Sequence, residues 1–151
     1  MNDSEKKIIE NIKEYDCHVT SVFDPDGEET SFTYSTGITE TLGAPEIIVV
    51  GLNHELGHFI VNDYRDRLKV GESFKVGEFY SEFIEGFDVT FEEVSEENKS
   101  EYMCSSVWFN GESFRALQLV FPTTSGVWPW QEQASLSFKS LQPSLAVKPR
   151  W

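Results

Sequence analysis

His54-Glu55-Leu56-Gly57-His58 has the residue types and the spacing of a zinc-hydrolase motif. Residues four apart on a helix lie about one turn apart on the same face, so two imidazoles placed there can grip one metal ion. The glutamate between them can then serve as general base toward a metal-bound water. In that chemistry His54 and His58 are ligands, Glu55 is the base, and a downstream carboxylate completes the site: Glu78 first, with Glu82 and Glu85 also in range. Other features of the sequence weigh against it. The extended form of the motif needs a glycine at 61 and a histidine at 64, where Val61 and Tyr64 stand. A glutamate in a first helical turn is expected from the helix dipole alone, and an acid-rich stretch offers carboxylates at any spacing. A coincidental surface pair is the preferred reading, with no catalytic residue and no metal assigned. Zinc hydrolysis is the alternative.

A second constellation concerns binding. Between Gly77 and Glu101 there are nine acids and one lysine, a field that can steer association with a basic protein. Glu82 and Glu92 are its candidate contact residues. Trp128 and Trp130, in Trp-Pro-Trp, are the candidate anchors, since Trp is favoured at binding hot spots. Tyr34 and Gln118 join them as polar tips on apolar bodies. With Trp130 they could instead line a small-molecule pocket, or simply satisfy backbone groups at a sheet edge, which is the preferred reading for Tyr34 and Gln118. His18 stands alone and reads as a packed or surface histidine. There is no nucleophile elbow and no phosphate-binding glycine loop.

The elements that must position these residues follow from periodicity. Asp3 or Ser4 can cap a helix to about Tyr15, with Ile8, Ile9, Ile12 and Tyr15 at helical spacing. Cys17–Phe23 and Thr30–Ser35 read as strands of a hairpin around the Asp24-Pro25-Asp26-Gly27 turn. Glu46–Val50 is a continuous apolar run, the mark of a central strand. Asn53 caps a helix from His54 to about Val70, stopped by Gly71, with Leu56, Phe59, Ile60 and Tyr64 as its apolar stripe. From Ser73 to Val94 aromatics fall at odd positions and acids at even ones, predicting strands with one buried and one acidic face. Glu92–Glu101 reads as a short helix or loop. Val107–Phe109, an Asn110-Gly111 turn and Phe114–Phe121 read as a further hairpin.

Composition sets limits. The 151 residues carry 26 acidic and 12 basic side chains, a formal net charge of −14. That charge argues against nucleic acid and anionic membranes as partners. Apolar residues make up 39% and aromatics 14%, enough for one domain that buries roughly 70% of its unfolded surface. No apolar run approaches the about 20 residues that span a bilayer, and Met1–Glu10 is polar, so a cytoplasmic location is expected. Cys17 and Cys104 are too few for a disulfide scaffold and read as buried packing residues.

Three blocks carry a resemblance: Phe32-Thr33-Tyr34-Ser35-Thr36-Gly37-Ile38, Pro45 to Leu52, and Ala116 to Pro122 followed by Trp128-Pro129-Trp130. Together they resemble the bacterial Domain of Unknown Function 4262 family, over about residues 16–131. The resemblance implies no activity. It implies that the helix after Gly51-Leu52 does not as a rule carry the histidine motif, and that Thr123 departs from an aspartate. It also draws attention to Tyr34, Thr36, Gly37, Glu46, Gln118 and Trp130.

The expectation is a single α+β domain over residues 1–151, a mostly antiparallel sheet with two main helices packed against it and a C-terminal tail over about 135–151. Its expected role is non-enzymatic binding of a basic protein, of which an immunity protein neutralising a cationic toxin is one form. Zinc hydrolysis and a small-molecule pocket are the alternatives.

Overall fold

The computed structural model describes residues 1–151. One mixed sheet of six strands runs in the order β1-β2-β3-β6-β5-β4. The strands are β1 (His18–Val22), β2 (Phe32–Thr36), β3 (Glu46–Val50), β4 (Phe79–Ile84), β5 (Phe87–Glu93) and β6 (Ala116–Val120). All neighbours are antiparallel except β3 and β6, which are parallel. The fold is α+β, as the pattern predicts. Six helices surround the sheet in place of the expected two: α1 (Asp3–Tyr15), α2 (Ile38–Leu42), α3 (His54–Lys69), α4 (Glu96–Tyr102), α5 (Cys104–Asn110) and α6 (Leu136–Leu141).

Of the extra helices, α4 and α5 cover the second face of the sheet, while α2 and α6 pack at the margin of the first. One core forms between the sheet and α3, from Ile47, Val49, Leu117, Leu119, Phe83, Val89 and Phe91 against Ile60, Val61 and Tyr64. A second core lies across the sheet, where Tyr34, Ile48, Val50 and Ala116 meet Met103, Phe114 and Leu145. β3 and β6 are buried at every position. An apolar run without alternation is the signature of such a two-sided strand.

The helix signals hold, with small shifts. Asn53 caps α3 by accepting the Leu56 amide. On α1 the cap is Asn2, one residue earlier than expected, in a reciprocal box with Glu5. The predicted hairpin at Asn110-Gly111 is wrong. Cys104–Asn110 is helical, and Gly111, at φ +76°, ends it. The apolar run Val107-Trp108-Phe109 is too short to tell strand from helix by pattern. Cys104 is also exposed, contrary to expectation, while Cys17 is buried and its thiol pushed up to about 11 by burial.

The β4–β5 hairpin departs from strict alternation. Glu82 adopts φ +73°, and the register shifts between Tyr80 and Ile84. The extra residue turns the pleat over. Tyr80 therefore packs toward the α3 core although it sits at an even position, while Phe79 points outward, 54% exposed, against Trp128. The acidic face is not uniformly wet either. Glu92 is 6% exposed, because the chain from α4 to the C-terminus covers that side of β5 and β6.

Candidate functional site

The histidine motif opens α3. His54 and Glu55 are exposed in the first turn, and His58 is half-buried. Gly57 is there for packing: a Cβ at this position would lie 2.4 Å from Thr33 Oγ1, so α3 crosses β2 at the closest approach a glycine permits. His58 does meet another histidine, but not across a metal site. It shares a cleft of about 340 Å³ with His18, Asn11, Asn62 and Arg65. There the Asn11 side-chain amide lies 2.9 Å from His18 Nδ1. Burial lowers the pKa of both His18 and His58, and the neighbouring imidazoles (His58 for His18, His54 for His58) lower it further. No three His, Cys, Asp or Glu side chains converge in a geometry that could hold a metal ion. Glu78, the leading candidate for third ligand, instead accepts the Tyr80 hydroxyl at 3.0 Å.

Tyr34 and Gln118 hold backbone. The Tyr34 hydroxyl accepts the Ser105 amide at 3.0 Å, in the first turn of α5. Gln118 lies in the middle of the sheet, where it donates to the Pro143 carbonyl at 2.8 Å and accepts the Leu145 amide at 2.9 Å. Gln142 makes the same two-way clasp on Phe121. Together these amides seat the tail, and the Ser95 amide fixes the Leu145 carbonyl from the other side. The principal clefts are lined by other residues.

Glu46 is the most heavily bonded side chain of the family-like set. It is fully buried at the start of β3 and accepts from the Ser35 hydroxyl (2.8 Å), the amides of Gly37 (3.0 Å), Ile38 (3.1 Å) and Thr39 (3.3 Å), and the Asn110 side chain (2.9 Å). Burial pushes its carboxyl above the ordinary range, and these hydrogen bonds pull it back. One carboxylate thus joins β2, the first turn of α2 and the end of α5.

The acids from Gly77 to Glu101 do not form one surface. Glu93 pairs with Arg115 at 2.6 Å, and Glu96 pairs with Lys99 at 2.7 Å. Lys99 is itself buried over the Phe114 ring. What remains together is an open groove of about 650 Å³ between α3 and the β4–β5 hairpin. Leu56, Phe59, Phe83, Ile84 and Phe87 supply its apolar lining, and Glu82, Glu85 and Asp88 its acids. Phe59 stands 57% exposed there and is not part of the buried stripe of α3, where Gly57 and Val61 take the inward positions. Beside the groove, burial raises the Asp63 carboxyl; Arg67 opposes that, and Asp66, Glu72 and Glu82 add to the rise.

A family model described as a domain of unknown function (DUF4262) matches residues 11–135. The chain belongs to that family. No curated protein and no solved structure matches it. The DUF4262 match takes in the end of α1 from Asn11 and stops just before α6, so the segment that Gln118 clasps lies beyond it.

At the far end of the hairpin, the DUF4262 chain gathers three of its four tryptophans. Trp128 and Trp130 stack at 5.0 Å and 12°, Phe79 meets Trp128 edge-on at 5.3 Å, and Trp151 lies 6.2 Å from Trp130. The Arg150 guanidinium sits 3.9 Å over the Trp130 ring. Glu92 is buried nearby in the fold with Oε2 unpartnered. Burial raises its carboxyl, and the charge of Arg150 opposes the rise. Because its folded pKa lies above the ordinary value, stability linked to Glu92 is fully present below the ordinary carboxyl range and is lost as pH rises through the folded pKa. Glu92→Gln should therefore raise stability at neutral pH by about 1 kcal/mol, the scale of an unsatisfied buried acceptor. That gain should fade as pH falls to 4, as urea melts at both pH values would show. Composition points to the tryptophans. Arg150, Phe79 and the groove carry no sequence signal, because tertiary packing alone brings them into place.

Proposed function

We propose that this chain is a non-enzymatic binding protein that receives a basic, amphipathic segment of a partner protein in the groove between α3 and the β4–β5 hairpin. An immunity-type role against a cationic toxin is one concrete form of this reading. The observation that carries it is the pairing of an exposed apolar floor with acids of one sign. Phe59 is more than half exposed beside Leu56, Phe83, Ile84 and Phe87, and Glu82, Glu85 and Asp88 line the same groove, while Arg67 borders it over Phe83 and on the Ser81 carbonyl. Apolar area supplies affinity there, while the acids steer the encounter and select for cations. The net charge of −14 acts in the same direction at longer range. The bulge at Glu82 belongs to this reading, since bulges re-aim side chains beside functional sites. Zinc hydrolysis is not favoured, because His54 and His58 gain no third ligand from Glu78, Glu82 or Glu85.

The test is a titration with an amphipathic peptide of alternating Leu and Lys blocks, followed by fluorescence anisotropy. The wild-type protein should bind it with an affinity that falls steeply with salt. Reversing Glu82, Glu85 and Asp88 to Lys should weaken binding at least about tenfold, which corresponds to about 1.4 kcal/mol. Equal affinity for the reversed variant, or binding indifferent to salt, would remove the groove from the proposal.

A further inference from the structure

Arg150 is held in an unusual way for a surface cation. Its guanidinium lies 3.9 Å over Trp130, yet it forms no ion pair and no side-chain hydrogen bond of its own. The ring beneath it is built up from behind, by Trp128 stacked on Trp130 and Phe79 against Trp128. The flanking Trp151 is anchored by its indole N–H on the Gln142 carbonyl. Glu92, 6% exposed, keeps a carboxylate oxygen with no partner, and Arg150 is the cation whose field reaches it. An aromatic platform and a buried carboxylate with an oxygen left without a hydrogen-bond partner are the two parts of a cation-recognition site. A planar guanidinium stacks on such a platform, whereas an ammonium offers only a compact, strongly hydrated charge.

We propose that the Trp128–Trp130 face is a recognition site for an arginine side chain of a partner polypeptide, and that Arg150 is its intramolecular occupant. The tail then acts as a built-in competitor. Residues Val147 to Arg150 are exposed and lie between the clasp made by Gln118 and Gln142 and the anchored Trp151. They can swing away once the Trp151 indole N–H releases the Gln142 carbonyl, leaving the Gln118 bonds to Pro143 and Leu145 in place. Because Arg150 uses none of its donors on the protein, an incoming arginine replaces its stacking without breaking a side-chain hydrogen bond of Arg150, and can add contacts from its own backbone.

The inference shares with the proposed function only the basic character of the partner, and it concerns the opposite end of β4 from the groove. The full chain and its Arg150→Ala variant are titrated with N-acetyl-arginine methylamide and with the lysine counterpart, following the Trp130 indole N–H by NMR. A short tether holds its end group at millimolar effective concentration, so removing Arg150 should tighten arginine binding about tenfold. The lysine probe should bind at least several-fold more weakly than the arginine probe. Adding Glu92→Gln to Arg150→Ala should lower arginine affinity while leaving the indole spectrum of the free protein folded. Equal arginine affinity with and without Arg150 would overturn the proposal, as would equal response to lysine and arginine, or no response at Trp130. The probe has one charge and no apolar face, so its failure would leave the groove titration unaffected.

Discussion

Glu46→Ala is expected to cost about 3–5 kcal/mol, since several buried donors lose their acceptor at about 1–3 kcal/mol each before relaxation. The substitution would strand the amides of Gly37, Ile38 and Thr39, the Asn110 side chain and the Ser35 hydroxyl, all buried or nearly so. A domain with about 5–15 kcal/mol of total stability would lose a large fraction of it. Glu46→Gln is the informative companion. Its amide keeps one acceptor oxygen but points an NH2 at groups that mostly donate, so a loss of about 1–3 kcal/mol is expected, the scale of an unsatisfied buried group. Urea unfolding of the two variants beside wild type reads both values. A Glu46→Ala protein as stable as wild type would mean the carboxylate is not what joins these elements.

Gly57→Ala offers the second large effect and sets two magnitudes against each other. Inside a helix, alanine is favoured over glycine by about 1 kcal/mol, so propensity alone predicts a more stable α3. Here the added Cβ would meet Thr33 Oγ1 at 2.4 Å and Thr33 Cβ at 2.8 Å, distances that force the helix away from β2. Overpacking of this kind costs about 1–3 kcal/mol. The steric term wins because Thr33 is itself pinned: it is buried, and its hydroxyl lies 3.0 Å from that of Ser21 on the neighbouring strand. The net expectation is a lower urea midpoint. Thr33→Ala added to Gly57→Ala should recover part of the loss, since the two sites are in contact and their effects are not additive. An unchanged or raised midpoint would show that α3 can lift off the sheet at little cost.

The same contact bears on the histidine motif. His-Glu-Leu-Gly-His resembles an active site because its spacing is helical and its flanks are apolar. In the fold, its glycine serves the helix–sheet contact and its second histidine looks toward His18, on the side of α3 away from the hairpin groove. A motif read along one helix cannot report which strands pass beside it. Of the carboxylates that could complete a metal site, Glu82 and Glu85 line the groove with Leu56 and Phe59, His58 lines the cleft with His18 instead, and Glu78 accepts the Tyr80 hydroxyl.

The sequence by itself determined most of the local structure. The cap at Asn53, the apolar run Glu46–Val50, the turn at Asp24–Gly27 and the stop at Gly71 each act through near neighbours, and near neighbours are written in order along the chain. It also determined the family, through blocks on β2, β3 and β6 that together form the centre of the sheet. What only the tertiary structure decided is which of those residues are spare for binding. Tyr34, Gln118 and Glu46 have the polar tips of a binding site, yet each is tied to backbone groups or donors that lie between 7 and 71 positions away. The alternating acids of β5 predict a wet face, yet Glu92 is buried because the tail returns across it. Periodicity records which side chains share a face of a strand. Whether that face meets water depends on where the rest of the chain comes to lie, and here the covering layer arrives from α4, α5 and the last residues.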